Sequence, residues 1–463
     1  MFGALRDAAV RAVLSRPSGT VRTGVLLGVL ATSGAAILEL VREQTGTPGF
    51  FVGLGLALFP VPALMAAFRW LGRVSPVPWP CLLYCFGWGA CAAALIAILA
   101  NSFATEWIAA ATADPSDADQ LGSIAIAPVV EETAKAAALL LVFLFRRRLL
   151  TGFTDGFVLA GFTATGFAFT ENILYLGNAF GEDLVSGTAV LDSLTAATFF
   201  VRIMLSPFAH PLFTVLTGLG FGAASMYCRR SARIGLPLLG LALAMGAHAL
   251  WNSSSELGEY GFYLVYGCVM VPVFGLLAAL AVRLRRRQLR AVGSELAVYA
   301  AAGWLGPAEA RVLASMPARA LARSMARHTG GRPARRAVLR YETDAAELAL
   351  LRHRARRGGP ARVPEFAERE RELLGRIWLC RPVAGPALIR AAMAEELVPP
   401  VLPPTARPVV PPTARPVVPP AVAPVVPPAR TEIRRSVPWI PARPAGPSSN
   451  HLPYALPGAD GPR

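Results

Sequence analysis

Charged residues are scarce in this 463-residue sequence, and lysine is almost missing from it. Only 16% of the residues are charged, against roughly a quarter in a soluble globular protein, while 54% are hydrophobic. The mean hydropathy is +0.48. This composition excludes a chain that is disordered throughout, and it disfavours a soluble enzyme. Together with several long apolar runs, it indicates a protein embedded in a membrane.

The six cysteines lack both a disulfide pattern and a metal-binding pattern. Five lie in or beside apolar runs and one, Cys380, lies in a basic stretch, and none has the spacing of a zinc finger. They are therefore predicted to be reduced residues that pack between helices.

The net charge of +16 is confined to one part of the chain. Residues 1–283 hold equal numbers of basic and acidic residues, whereas residues 284–463 hold 29 arginines against 13 acids. Because this excess directly follows a hydrophobic region, the expected partner is the lipid bilayer, and no nucleic acid is expected. The sequence predicts a transmembrane domain over 1–283, a basic, mostly helical cytoplasmic region over 284–398, and a disordered Pro-rich tail over 399–463.

The basic region is predicted to form short helices, some of them on the membrane surface or packed on each other. Its Ala, Leu, Arg and Glu residues recur at helical spacing. Glycine-containing breaks at Gly306-Pro307, Gly330-Gly331 and Gly358-Gly359 are expected to end these helices.

Eight apolar runs are long enough to cross a hydrocarbon layer of ~30 Å as helices. The predicted fold class is therefore an all-α polytopic membrane protein with about eight transmembrane helices. The first run follows several arginines but continues too far for a signal peptide, so a retained first helix is expected. The sixth contains Pro207 and Pro211, which predict a tilt or kink. The predicted spans are 21–40, 49–68, 82–101, 122–145, 153–177, 198–227, 234–252 and 261–282.

The loops between these runs alternate in charge. Arginines follow the second, fourth, sixth and eighth runs, and acids follow the third, fifth and seventh, with Arg42 as the exception. Because basic loops stay in the cytoplasm, the sequence predicts a multi-pass protein of the cell membrane with both termini in the cytoplasm.

Ionisable residues inside the apolar runs are candidates for function, because each costs about 3 kcal/mol in a bilayer. The fourth run holds Glu131, Glu132 and Lys135, and Lys135 is the only lysine in the chain. Glu131 and Lys135 are four residues apart and share a helix face, whereas Glu132 is turned by about 100°. Lys135 is therefore expected to neutralise one carboxylate while the other faces a different cavity or ligand. Such a pair could act as a base and its support.

Three further runs place polar residues at similar depth. Glu171 and Asn172 lie in the fifth run, His210 in the sixth, and His248 and Asn252 in the seventh. Counted at 1.5 Å per residue, the acids and histidines of all four runs fall in the outer half of the bilayer. Histidine and glutamate are the ligands of catalytic zinc sites, which leave one position for water. Packing alone hardly explains four helices that direct polar groups to one layer.

Two other interpretations of these residues stay open. Glu171 could form a structural ion pair with Arg202, and a lone membrane histidine often makes only an interhelical hydrogen bond. A proton- or ion-coupled transporter would use the same groups, because carboxylate–histidine chains also build proton relays. That path needs polar groups at both faces, and the cytoplasmic half of the central runs offers little beyond Asp155.

Four elements in this order resemble the PrsW family of intramembrane metalloproteases, which is related to the CAAX prenyl proteases and the bacteriocin-processing enzymes. The similarity covers roughly residues 120–255. The elements are Glu131-Glu132-x-x-Lys135, Phe167-x-x-x-Glu171-Asn172, His210 and His248.

The resemblance implies an intramembrane endopeptidase that cleaves a single-pass membrane protein near the outer half of the bilayer. In the family, the known role is first-site cleavage of an anti-sigma factor, which makes such a protein the candidate substrate. The choice between a bound metal, with zinc as the candidate, and a glutamate-activated water alone stays open. The implied site consists of catalytic Glu131, Glu132 and Lys135, metal-binding Glu171, His210 and His248, and supporting Asn172 and Asn252.

Overall fold

The regular structure of the described residues is entirely helical, which confirms the predicted all-α class. The five cysteines among them carry free thiols, as their spacing predicts. The tail predicted to be disordered, residues 399–463, lies outside the described residues. The computed structural model describes residues 19–112, 120–187, 193–227, 229–258, 260–356 and 363–397.

The helices of the membrane part follow the apolar runs. They are interrupted or extended by π-helical turns at Trp88–Ala93, Gly122–Ile126, Phe200–Leu205 and Tyr266–Met270. Such turns are rare and frequently lie at functional sites. The α-helices are α1 Gly19–Ala57, α2 Val61–Leu71, α3 Trp79–Gly87, α4 Ala94–Thr112, α5 Ala127–Phe145, α6 Phe153–Ser186, α7 Leu194–Phe199, α8 Ala209–Ala224, α9 Arg230–Asn252, α10 Gly261–Val265 and α11 Val271–Ala301.

Six helical stretches of the described residues are long and apolar enough to cross a membrane, judged by length and composition. The polytopic class is therefore confirmed, whereas the predicted count of eight spans is not. Two predicted spans merge into the first stretch, and the predicted span that contains α5 carries three charged residues. The stretches are Thr23–Leu71, Trp79–Ala110, Phe153–Ser186, Leu194–Ala224, Arg230–Ser255 and Gly261–Ala301.

The first two predicted spans are separated inside the expected loop at 41–48, as the sequence suggested. The two helical segments of α1 meet there in a kink, at Gly46 with a φ of 69° and next to Pro48. Glycine readily adopts positive φ and proline lacks the N–H of a helical turn, so the pair produces a kink. The helix ends at Ala57, and α2 starts just after Pro60.

The sixth predicted span is interrupted, as its prolines predict. The π-helical turn after α7 ends at Leu205, and α8 begins at Ala209. Pro207 lies in the break, and Pro211 lies in the first turn of α8, where its missing N–H removes no helical hydrogen bond. His210 is therefore placed at the very start of α8.

Helix α6 lies at the centre of the membrane part. Most of its side chains are buried, and it contacts α1, α2, α3, α5, α7 and α8. A Cβ atom at Gly156 would lie 2.0 Å from the carbonyl oxygen of Gly218 on α8, and one at Gly166 would lie 2.0 Å from that of Phe86 on α3. Glycine thus lets the backbones touch, which brings polar side chains of neighbouring helices within reach of each other.

The described residues divide into two compact units. The membrane unit consists of the described residues within Met1–Val292 and Thr343–Gly375. The second unit consists of the described residues within Gly293–Glu342 and Arg376–Arg463. The domain boundaries derived from the sequence remain predictions.

Two of the described helices of the basic region are longer than the short ones predicted. Alanine, leucine, arginine and glutamate are strong helix formers, and one of these helices continues through two internal prolines. The predicted breaks at Gly306 and Gly330-Gly331 are both present, because a helix starts after Gly306 and the backbone leaves helical geometry at Gly330 and Gly331, which divides the longest helix into two segments. The break at Gly358-Gly359 lies outside the described residues. The helices are α12 Pro307–Leu313, α13 Met316–Arg356 and α14 Val363–Leu397.

Candidate active site

Helix α5 presents three ionisable side chains to the interior of the membrane unit. Glu132 and Lys135 are fully buried, and Glu131 retains 6% of its surface. The ammonium Nζ of Lys135 lies 2.8 Å from Oε1 of Glu132 and 3.2 Å from Oε2 of Glu131. The expectation that Lys135 would neutralise only one carboxylate is wrong, because its long stem reaches acids three and four residues earlier. The two carboxylates share one positive charge.

Helix α8 brings His210 to this ammonium. Nδ1 of His210 lies 3.2 Å from Nζ of Lys135, and Nε2 lies 2.6 Å from Oε2 of Glu171 on α6. Because an ammonium group only donates, Nδ1 accepts, and the proton on Nε2 is donated to Glu171. His210 therefore links the lysine of α5 to the carboxylate of α6.

Arg202, in the π-helical turn after α7, also holds Glu171. Its Nη2 donates to Oε2 of Glu171, and its Nε donates to Oδ1 of Asn172 at 2.9 Å. The guanidinium lies over the ring of Tyr175, 3.8 Å from the ring centre. The Glu171–Arg202 ion pair considered above thus exists, and it coexists with the contact between Glu171 and His210.

His248 on α9 approaches both carboxylates of α5 and is almost completely buried. Its Nδ1 lies 3.3 Å from Oε1 of Glu132, and its Nε2 lies 3.9 Å from Oε2 of Glu131. The ring stacks on Phe213 with 4.7 Å between ring centres and stands edge-on to His210. Nδ1 of His248 makes no hydrogen bond with any described residue.

Glu131, His210 and His248 form a group that could hold a metal ion. Each offers one ligand atom, and these atoms lie within 4.8 Å of one another. One carboxylate oxygen with two imidazole nitrogens is a donor set of catalytic zinc sites. The unbonded Nδ1 of His248 also fits a ligand role. The donor chemistry of the group therefore fits a metal.

This group differs from the predicted ligand set in one member, because Glu131 stands in place of Glu171. Glu171 instead accepts the Nε2 proton of His210, which is the usual position of a carboxylate behind a ligating histidine. The ammonium of Lys135 already contacts Glu131 and His210, and it lies 3.7 Å over the ring of Phe167. Lys135 thus places a positive charge beside acceptor atoms of the group that could also bind a metal ion.

Two side chains that contact the site, Thr214 and Phe213, were not predicted from the sequence. Thr214 donates its hydroxyl to Oε2 of Glu132 at 2.9 Å. It lies four residues after His210, on the same helix face, so that spacing could have identified it. The stacking residue Phe213 carries no comparable signal, because one phenylalanine in an apolar run looks like any other.

The predicted supporting residues have different partners. Asn172 contacts Arg202 and so belongs to the Glu171 side of the cluster. Asn252 instead donates to the carbonyl oxygen of Ser123 at 2.8 Å, and therefore connects α9 to the π-helical turn before α5. Its contact positions helices, whereas that of Asn172 lies within the polar network.

Glycines allow close packing at several positions near the site. Besides Gly166, a Cβ at Gly161 would lie 2.3 Å from the ring of Phe68, and one at Gly240 would lie 2.5 Å from a carbonyl oxygen of α8. Gly246, on the same helix as Gly240, has no described atom within 4 Å of such a Cβ.

The arrangement of acids, lysine and histidines on successive membrane helices has a counterpart among known protein families. Residues 77–277 match the sequence profile of the PrsW family intramembrane metalloproteases. Over this stretch the chain is similar to the PrsW family. No curated protein and no solved structure matches the chain significantly.

The PrsW match confirms the resemblance seen over residues 120–255 and extends it at both ends. It includes every candidate site residue, from Glu131 to Asn252. The basic region and the Pro-rich tail lie entirely outside the PrsW match.

Proposed function

We propose that this chain is an endopeptidase that hydrolyses a peptide bond of a single-pass membrane protein. The observation that carries the proposal is the buried group Glu131, His210 and His248 beside Lys135, contributed by α5, α8 and α9. Such carboxylates and imidazoles are the usual general bases and acids of hydrolysis. The family match supports the reaction class.

Glu131 is the better placed of the two carboxylates to act as the general base. Both oxygens of Glu132 accept hydrogen bonds, from Lys135 and from Thr214. Glu131 keeps some accessible surface, and its hydrogen bond to Lys135 is longer. In the proposed reaction Glu131 takes a proton from a water molecule while the water oxygen attacks the carbon of the scissile carbonyl. Glu131 then returns this proton to the leaving nitrogen. Glu132 holds Lys135 in place.

The negative charge that develops on the carbonyl oxygen needs donors in a site from which water is excluded. Lys135 and His248 are candidates, because both lie beside Glu131 and are buried. If a metal is bound, Glu131, His210 and His248 would hold it, with zinc as the candidate, and Glu131 would then be a ligand rather than the general base. The metal would supply a more acidic water and a Lewis acid for the carbonyl.

The proposed substrate is a single-pass protein of the cell membrane that is cut near the outer half of the bilayer. A site built from α5, α6, α8 and α9 at membrane depth favours a substrate that is itself within the membrane. The resemblance to the family makes an anti-sigma factor the first candidate. The alternating loop charges favour an orientation with both termini in the cytoplasm.

The test is a mass-spectrometric survey of new protein termini in membranes of cells that express the wild type or Glu131→Gln at equal levels. The wild type is expected to produce termini in or beside a single transmembrane segment, and Glu131→Gln is not. The matched control is Glu182→Gln, at an exposed position of α6, which should behave as wild type. Identical termini from folded wild type and Glu131→Gln would refute the protease. Ion flux in proteoliposomes that is lost in His210→Ala would then favour the transporter.

The metal is tested by elemental analysis of the purified protein. If a metal belongs to the site, wild type is expected to hold about one zinc per chain, and His248→Ala is expected to lose it without unfolding. Full activity of a metal-free preparation would favour the glutamate-activated water instead.

A further inference from the structure

The second half of α14 exposes a row of large apolar side chains. Leu379 is 80% exposed, Met393 58%, Val383 51% and Ile389 41%. We call these four residues the apolar face of α14. The opposite side of the same stretch is buried in the second unit, where Gly385 lies against the carboxylate of Glu309.

The apolar face is one continuous stripe. At about 100° per residue its four members fall within a sector of roughly 120°, the width of the buried side of an amphipathic helix. Trp378 lies just outside one edge of the sector, beside Ile389, and Arg376 lies just outside the other, beside Val383. Arg390 lies inside the sector, between the directions of Leu379 and Val383, and all three residues are exposed. Monomeric soluble proteins rarely expose contiguous apolar surface of this kind, so a partner is expected.

Charge distinguishes the candidate partners. Residues 376–394 contain three arginines and no acid, and residues 284–463 as a whole contain 29 arginines against 13 acids. A second copy of this region would repel the first. The tail 398–463 has seven arginines and two acids, so it is also positively charged and would be repelled by the arginines of α14. An anionic lipid surface is complementary both to the apolar face and to its arginines.

The bilayer is also always within reach of the second unit. Helix α11, Val271–Ala301, begins in an apolar stretch, passes through a cluster of arginines around residue 286, and enters the second unit at Gly293. A covalent link this short gives the membrane surface a high effective concentration. A stripe of modest affinity therefore suffices for docking.

We propose that the apolar face of α14 lies in the headgroup layer of an anionic bilayer. Leu379, Val383, Ile389 and Met393 enter the boundary of the acyl chains, and Arg390 and Arg376 contact lipid phosphates. Trp378 at the edge suits the interface, where an indole has both apolar and polar surroundings. This inference does not depend on the proposed protease activity.

The test places a fluorescent amino acid at residue 379 of the full-length protein, reconstituted in vesicles that contain doxyl-labelled quencher lipids. The label is expected to be quenched with about 30% phosphatidylglycerol, and much less with phosphatidylcholine alone. A label at the exposed Ala320 in the second unit is the negative control, and one at the exposed Phe103 of α4 is the positive control. Arg390→Glu should lower the docked fraction by roughly five-fold or more.

Three results would overturn the proposal. A label at 379 that remains unquenched, while the label at 103 is quenched, would show that the apolar face does not enter the bilayer. Energy transfer between labelled copies that rises with protein density would assign the apolar face to a dimer. A label that becomes exposed to water only after deletion of residues 398–463 would assign it to the tail.

Discussion

Glu132 and Glu309 are both buried almost completely, and they are held in different ways. Glu132 in the membrane unit accepts hydrogen bonds from Lys135 on its own helix and from Thr214 on α8. Glu309 in the second unit accepts from the backbone N–H of Gly306, from the hydroxyl of Tyr341 and from Arg381. Burial and ion pairing are common to both sites.

The difference lies in what surrounds the bonded atoms. Every partner of Glu309 donates a hydrogen, so the carboxylate fixes the start of α12 and is saturated. In the membrane unit, acceptor atoms of Glu131, His210 and His248 face one another across less than 4.8 Å. Acceptors in contact repel unless a cation, a proton or a substrate lies between them. Convergent acceptors, rather than buried charge as such, therefore mark the functional site.

The sharpest test of this comparison exchanges one carboxylate in each cluster for its amide. Glu131→Gln should lower proteolysis by about 10²–10⁴-fold, the usual contribution of a general base, with little change in melting temperature. Glu309→Gln should retain activity but lose about 1–3 kcal/mol of stability, because its donors lose an ionised acceptor. The measurements are cleavage of an identified substrate and thermal unfolding in detergent. Equal loss of activity in both variants would remove the distinction.

The second prediction removes the cation of each cluster. Lys135→Met leaves two buried carboxylates without a positive charge, so a loss of about 3–5 kcal/mol is expected. Arg381→Met should cost only about 1–2 kcal/mol, because Arg381 is partly exposed and Glu309 keeps its hydrogen bonds from Gly306 and Tyr341. Thermal unfolding of both purified variants measures the difference. A mild effect of Lys135→Met would show that its carboxylates are neutralised by another group.

A third prediction concerns two glycines on α9. Gly240→Ala places a methyl group against backbone of α8, so the helices must separate at a cost of about 1–3 kcal/mol. The matched change Gly246→Ala meets open space and should be neutral or slightly stabilising. Melting temperatures and the activity of both variants test this. Similar values for the two would mean that α9 does not pack on α8 as described.

The smallest predicted effect is a pH dependence confined to the second unit. Burial raises the pKa of Glu342 to about 7, although Arg323 and Arg319 act against the rise. In the unfolded chain the carboxyl titrates near 4.5, so its contribution to stability is complete below that pH and is lost as the pH rises through 7. We expect a loss of roughly 1–2 kcal/mol between pH 5 and pH 8.

Hydrogen exchange of α12 and the start of α13, corrected for the intrinsic pH dependence of exchange, measures this loss. Glu342→Gln should abolish the pH dependence. An unchanged profile in that variant would assign the titration to another group.

The sequence predicts the membrane helices and the polar cluster because both follow from strong local rules. Apolar length identifies the helices, and charged residues inside them identify Glu131, Lys135 and their counterparts on other helices. The sequence does not predict contacts that depend on how far a side chain extends. The shared contact of Lys135 with both carboxylates is such a case, and so is the exchange of Glu171 for Glu131 in the metal-type group.

Helix boundaries were also only partly predictable. The local glycine signals are correct at Gly46, where the backbone leaves helical geometry next to Pro48, and Gly49 packs directly on the backbone of Gly177. In the basic region they are correct at Gly306 and at Gly330-Gly331. The length of α14 instead depends on packing that no local pattern reveals.

The burial of Lys135 has a practical consequence for spectroscopy and chemical labelling. It is the only lysine of the chain, and it lies in the middle of the polar cluster with no exposed surface. Protein labelled with ¹⁵N-lysine would give a single side-chain ammonium resonance, from the point where α5, α6 and α8 meet. An amine-acylating reagent would likewise have one internal target, so its rate of reaction would report how often the membrane core opens.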